Sequence, residues 1–510
     1  MNPRVKKILQ LLLAVALLVG AAQVQRGLNV DRERLGLTHV APLENAPPML
    51  AFTTVALGGF RGLIANALWI RATELQDDDK FFEMRQIADW VTKLEPHYSM
   101  VWTHQAWNMA YNISVKFKET EPGEYPDRWR WVKAGIELLR DEGLKYNPND
   151  VLIHQQLSWL YQHKLGANLD DANVYYKKQW ANEMAAVFGK TAKPDLNELV
   201  NPQTDEARAR AKLLRERYKM DAALVKEVDE RYGPMEWRLP EAHAVYWAAA
   251  GLRKAEENPA RVKAEDLMQL RRSIYQSMQL SFHRGRLLGT STGMFDTGPN
   301  LEIIPKVNAS YEEQLREALP ENHNNIRNAQ RNFLRAAVYF LYVNDRIADA
   351  AKWYAYLGEK YPDRPVLDAD PNSFPATVTL DEYAVRNVVG DITETSRDRV
   401  KSAVEGYLVR AYRSLVYGED SYAEQFVLFA RRIRATYQKK IETRAQAIGL
   451  PEVAEIQAEV LKRLLDPEEG WPEEVRAALR RKLGMPAESA EPSTNAPPAS
   501  ISTNAPSRGS

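Results

Sequence analysis

Phe81, Met84, Ala88, Val91 and Pro96 stand three, four, three and five residues apart, and much later in the chain Ile347, Ala350, Tyr354, Leu357 and Pro362 repeat those separations. The match extends backward. Leu68, Ala72 and Leu75 precede Pro96 by the same distances at which Leu334, Val338 and Leu341 precede Pro362. Two amphipathic helices closed by a proline, which cannot continue a helix, therefore recur in register. One such helix pair cannot bury its own apolar stripe, so copies must stack and share a core. With helical periodicity nearly everywhere else and few alternating stretches, the chain is expected to be all-α.

Two further segments begin six residues after a proline. Trp102, Gln105, Ala106 and Met109 follow Pro96, and His154, Leu157, Ser158 and Tyr161 follow Pro148. Together with Met84-x3-Ala88 and Ala350-x3-Tyr354, they resemble the tetratricopeptide repeat (TPR) family, whose pattern is W-x2-L-G-x2-Y in one helix, then A-x3-F and a closing proline in the next. The resemblance implies a TPR-like helical-hairpin solenoid that holds a protein or peptide on its concave face. Ala423, Phe426, Ala430 and Ile433 keep the spacing, but Gln438 stands where the proline belongs. Pro96 and Pro148 are too far apart for one ordinary unit, and the surplus fits an insertion at "FKETEPGEYPD".

Residues 190–325 depart from the pattern. They contain helical stretches ("DEARARAKLLRERYKM", "PEAHAVYWAAAGLRKA", "AEDLMQLRRSIYQSMQLSF") and then an irregular glycine-rich segment. The expected organisation is an N-terminal signal over 1–25, a linker and packing segment over 26–60, and repeats over 61–189. A helical insertion over 190–325, further repeats over 326–465 and a terminal helix over 466–485 come next. The Pro-, Ser-, Ala- and Asn-rich stretch 486–510, with almost nothing to bury, reads as a disordered tail.

The chain opens with Arg4, Lys6 and Lys7, an apolar run from Leu11 to Ala22 and small residues after it, which is the order of a secretory signal. Read from Ile8 through Val24, the same run is a marginal single span. Cleaved signal and uncleaved anchor both stay open. Either places the body outside the cytoplasm: inner-membrane single-pass with a periplasmic body, or released to the periplasm. The shorter apolar stretch 49–60 reads as packing surface.

Lys plus Arg and Asp plus Glu are 68 each, so no overall field favours nucleic acid as a partner. The absence of cysteine removes disulfides, thiolate metal sites and a cysteine nucleophile. Eight histidines are scattered without the H-E-x-x-H pair, and no cofactor or metal is expected.

The candidate binding residues are Trp107, Tyr111, Gln155, Trp159 and His163. Trp107 and Trp159 each lie five residues past the first position of their motif, about 140° around the helix from the packing stripe. Asp296-Thr297-Gly298 resembles the signature of aspartic proteases, but it has no second copy and reads as turn chemistry. The nearby glycines lack a preceding strand or a Gly-Lys-Ser/Thr, and so make no phosphate loop. Asp77, Asp78 and Asp79 read as a solvated turn; Arg431, Arg432 and Arg434 read as the wet side of a helix.

No catalytic motif stands out. The expected function is therefore a non-enzymatic scaffold or adaptor of the bacterial cell envelope, binding a protein or peptide within an envelope complex. Two alternatives are an envelope enzyme acting on peptidoglycan or polysaccharide, with its catalytic groups in 190–325, and a periplasmic ligand-binding module.

Overall fold

The computed structural model describes residues 3–34, 60–189, 194–259, 262–289, 295–344, 346–368, 370–391, 397–441, 449–468 and 470–486. The described residues are mostly helical, 76% helix and 2% strand. The expected packing segment 49–60 and the tail from 487 lie outside the described residues, apart from Phe60.

Helix α1 spans Pro3–Arg34. Its described apolar side chains, among them Leu13, Leu17 and Val24, are exposed. Among the described residues no helix is long and apolar enough to cross a membrane.

The first hairpin is α2 (Phe60–Asp77) and α3 (Phe81–Leu94), joined by the short turn that carries Asp77, Asp78 and Asp79. That turn is solvated and held by exposed ion pairs, Lys80–Asp78 at 3.0 Å and Lys116–Asp79 at 2.9 Å. The residues read as the packing stripe are buried: Ala72, Leu75, Phe81, Met84, Ala88 and Val91. The Pro96 carbonyl, beyond the end of α3, accepts hydrogen bonds from Trp102 Nε1 (2.9 Å) and Asn147 Nδ2 (2.7 Å). The residue that ends one hairpin thus ties it to the next two helices.

Helices α4 (Ser99–Trp107), α5 (Pro126–Glu137) and α6 (Val151–Trp159) each run on into a π-helical turn, Asn108–Ile113, Leu138–Gly143 and Leu160–Gly166. A π turn is an i→i+5 bulge that admits an extra residue. These bulges lengthen the units, as does the connection 117–125 at the place expected for an insertion. There Gly123 (φ 80°) turns the chain between the bridged residues Glu121 and Glu124, in a conformation only glycine adopts without strain. Asp150 caps α6 by accepting from the Ile153 amide at 3.0 Å, and its other oxygen accepts from Ser99 Oγ at the start of α4.

Next come α7 (Asn173–Phe188), α8 (Leu196–Val200), α9 (Asp205–Glu216), α10 (Ala222–Tyr232), α11 (Pro240–Glu257) and α12 (Ala264–Arg284). The helical stretches expected within 190–325 are α9, α11 and α12. This region shares one hydrophobic core with the blocks on either side, reaching from Trp102 to Leu479. Ser158 on α6 donates to the Ala244 carbonyl of α11 at 2.8 Å, and Phe282 on α12 meets Phe333 and Phe340 at 5.2 and 5.3 Å.

Asp296-Thr297-Gly298 lies in a strand, not in the turn expected of it. Strand β2 (Phe295–Gly298) pairs antiparallel with β1 (Arg286–Gly289), placing Thr297 opposite Leu287. A strand therefore does accompany the glycines. The Thr297 carbonyl accepts from the buried Lys401 Nζ at 2.9 Å, so this hairpin is fixed to the C-terminal helices.

The chain continues through α13 (Ile304–Glu317), α14 (His323–Val343), α15 (Ile347–Lys360), α16 (Leu380–Asp391), α17 (Arg397–Val416), α18 (Asp420–Lys440), α19 (Val453–Leu464) and α20 (Glu473–Lys482). In the α14–α15 hairpin Leu334, Val338, Leu341, Ala350 and Leu357 are buried as their spacing requires, but Ile347 is 39% exposed and Pro362 is exposed. The sequence match between the two hairpins is thus closer than the match in burial. Arg434 is not on a wet face either: it donates to the Leu450 and Pro451 carbonyls and pairs with Glu452, holding 450–452 against α18.

Small residues set the helix spacing. A Cβ on Gly135 would lie 2.8 Å from the Ala106 carbonyl oxygen, and one on Gly406 would lie 2.1 Å from that of Val343. Both neighbours are backbone atoms, which cannot swing aside. Gly406→Ala is expected to force α14 and α17 apart and to cost about 1–3 kcal/mol, read as a fall in the urea midpoint.

Candidate binding surface

The five candidate residues lie on α4, on α6 and in the π turns that continue them. The structure joins four of them through their rings. Trp107 stacks on Tyr111 at 5.8 Å, Tyr111 meets His163 at 5.8 Å, and Trp159 stacks on His163 at 4.4 Å, nearly parallel at 13°. Tyr111 Oη is 2.9 Å from His163 Nδ1. Trp107 and Trp159 are 38% and 37% exposed, so each keeps an open flank. Gln155 is half-buried one turn before Trp159.

Two more rings extend the strip beyond the candidates. His104 lies 6.3 Å from Trp107, and Trp69 on α2 meets His104 edge-on at 4.9 Å. The strip therefore runs Trp69–His104–Trp107–Tyr111–His163–Trp159 across three helices. Trp69 and His104 are not legible from the spacing alone, because only the residue five past each motif start is singled out by it. A tryptophan on the preceding helix was the available signal.

The strip rests on a buried charged base. Lys164, next to His163, places Nζ 5.0 Å from the Tyr111 ring centre and pairs with Asp170, which also receives Arg128 at 3.1 Å and Tyr176 Oη at 3.3 Å. Burial pushes the Lys164 ammonium below its ordinary pKa, against the opposing pull of Asp170. Burial alone would raise the Asp170 carboxyl, but Lys164, the Ala172 amide and Arg128 hold it below the usual carboxylate range. Burial likewise lowers His104 and His163, and Lys164 adds to the effect at His163. Burial thus favours the neutral form of both imidazoles in the strip.

Such a surface suits non-covalent contact better than bond chemistry. Tryptophan and tyrosine bury large areas at little conformational cost, which is why they dominate binding hot spots. Among the described residues no group of three or more histidine or acidic side chains converges to hold a metal.

The region named for a catalytic insertion has charged groups of a different kind. Glu236 holds Arg238 at 2.7 Å, and Glu241 holds Arg284 at 3.2 Å, all four buried. A cleft of about 500 Å³ lies beside Glu236, Arg286, Asn300, Arg346 and Trp471. Glu241 and Asp398 both face Arg284, at 3.2 and 4.0 Å, so one guanidinium serves two carboxyl groups.

Compared with known proteins, the chain matches no family model, no curated protein and no solved structure.

Proposed function

We propose that the chain is a TPR-like solenoid acting as a non-enzymatic scaffold of the bacterial cell envelope, with a peptide segment of a partner protein held along the aromatic strip. The observation that carries this reading is the unbroken run of rings from Trp69 to Trp159 across three helices, with two tryptophans open to solvent. An isolated exposed tryptophan needs no explanation, but six aligned rings on neighbouring helices make a continuous track.

The recurrence of hairpin, closing proline and small-residue crossings supports the TPR-like part. Attachment to the membrane rests on the basic residues before the apolar run Leu11–Ala22 and on the exposure of the described apolar side chains of α1.

Crosslinking of the full chain in native bacterial membranes, with identification of the captured protein, tests the reading. Trp107→Ala combined with Trp159→Ala is expected to reduce recovery of that partner at least about thirtyfold, the loss of about 2 kcal/mol that truncating a hot-spot tryptophan entails. Unchanged recovery, or turnover of a peptidoglycan or polysaccharide substrate by the purified chain, would overturn it.

A further inference from the structure

The hydrogen bonds within the aromatic strip fix which of its polar atoms stay open. Tyr111 Oη receives the Trp159 indole N–H, and its own proton has His163 Nδ1, 2.9 Å away, as acceptor. Neutral His163 then carries its ring proton on Nε2, since an imidazole that accepts at one nitrogen donates at the other. That Nε2 bonds to no described residue and is not enclosed, and the same holds for Trp69 Nε1. Trp107, 38% exposed, also has an indole N–H without a partner among the described residues. The rings therefore leave N–H donors open. Neutral His104 adds one donor and one acceptor, and the Gln155 amide supplies both.

The strip has no ion to offer. Lys164 and Asp170 beneath it expose only 3% and 9% of their side chains and pair with each other. Trp107 and Trp159 are more exposed than the half-buried Tyr111 and His163 that lie between them, so they stand as ridges beside a floor. An ordinary peptide brings one backbone N–H for every carbonyl, and each N–H laid against such rings would lose water without gaining an acceptor. Proline brings a carbonyl and no N–H. A proline-rich segment is already extended as a polyproline II helix without internal hydrogen bonds, so its carbonyls are free to accept and little chain entropy remains to be lost.

The geometry points to a proline-rich segment in the polyproline II conformation as what the strip takes from its protein partner. This inference rests on the reading of the strip as a peptide site and adds the chemistry of the peptide. Proline rings pack against the Trp107 and Trp159 ridges over Tyr111 and His163, and the open indole and imidazole N–H groups donate to the carbonyls between them. The Tyr111 hydroxyl is a positioning group: by occupying His163 Nδ1 it keeps the imidazole proton on the open nitrogen. A glycan would need acceptors for its many hydroxyl donors, and the strip supplies them only at His104 and Gln155.

The test uses the full chain in mild detergent and a fluorescein-labelled peptide repeating Pro-Pro-Ala, read by anisotropy. The same peptide with alanine in place of every proline is expected to bind about tenfold more weakly. Trp107→Ala with Trp159→Ala should weaken the proline peptide about thirtyfold, as truncating a hot-spot tryptophan does. Trp107→Phe keeps a ring and removes one N–H, and is expected to weaken binding about three- to tenfold. Circular dichroism checks that each variant keeps its helix content. Binding should be nearly indifferent to salt, since no ion pair forms. Equal binding of the two peptides, full affinity in either tryptophan variant, or a steep salt dependence would each overturn the proposal. Partner capture that depends on Trp107 and Trp159 while the proline peptide fails to bind would sink this inference and leave the scaffold reading standing. A bound proline peptide with unchanged partner capture would do the reverse.

Discussion

Arg284→Leu is expected to destabilise the chain by about 3–5 kcal/mol, the loss typical of removing one partner from a buried ion pair. Arg284 sits at the end of α12 with its Nε 3.2 Å from Glu241 Oε1 and its Nη1 4.0 Å from Asp398 Oδ2, joining α11, α12 and α17. Glu241 is almost fully buried, and its second oxygen already lacks a partner, so without Arg284 its charge keeps only the nearby Lys177 to offset the lost hydration. Lys177 on α7 belongs to the same cluster. Burial first, and then the nearby Arg284, push its ammonium well below the ordinary lysine value, while it donates to Asn168 at 2.6 Å and Asn173 at 3.0 Å. Urea unfolding monitored by circular dichroism measures the loss. The double change Glu241→Leu, Arg284→Leu removes both charges, and should be closer to the parent than the single change. A single-variant loss below about 1 kcal/mol would mean that solvent already reaches the pair.

That cluster also marks where the sequence stopped being legible. Apolar spacing placed α2, α3, α14 and α15 and their buried stripes, because an amphipathic helix is written directly in which residues avoid water. It placed Trp102, Leu157 and Tyr161 inside, and Trp107 and Trp159 on the open side. It could not show the π turns. One extra residue in a helical turn leaves no compositional mark, yet it rotates the residues beyond it by about 100°. Tyr111, His163 and Lys164 all lie within such turns, so their convergence is a product of the fold. Buried charges are equally hidden. At helical spacing Arg284, Lys177 and Arg434 look like a wet face, and only the neighbouring helices reveal that each is enclosed with its partners.

Between pH 6.5 and 4 the chain is expected to lose stability through histidines that are buried neutral. His243 on α11 is fully enclosed, with Tyr161, Trp180 and Trp237 rings 5.4, 4.9 and 6.0 Å away. Burial pushes its pKa from 6.5 down to about 4, only partly offset by the Trp237 carbonyl 2.8 Å from Nε2. His283 on α12 is also lowered to about 4 by burial, with Asp398 opposing and Arg284 and Arg399 assisting. Above pH 6.5 these imidazoles are neutral in both folded and unfolded chains and favour neither. As pH falls below 6.5 the unfolded chain takes up protons that the folded chain refuses, so stability declines until the folded pKa is reached near 4. For His243 this amounts to about 3 kcal/mol over the window; His283, partly open to solvent as a residue, contributes less. Loss of the Lys164–Asp170 pair belongs to a lower range, because the Asp170 carboxyl is held below its ordinary value. Urea unfolding at pH 7.5, 5.5 and 4 separates the two. His243→Gln keeps a donor for the Trp237 carbonyl and removes the titration, so its stability should fall less steeply between pH 6.5 and 4 than that of the parent. An unchanged slope would place the acid sensitivity elsewhere in the chain.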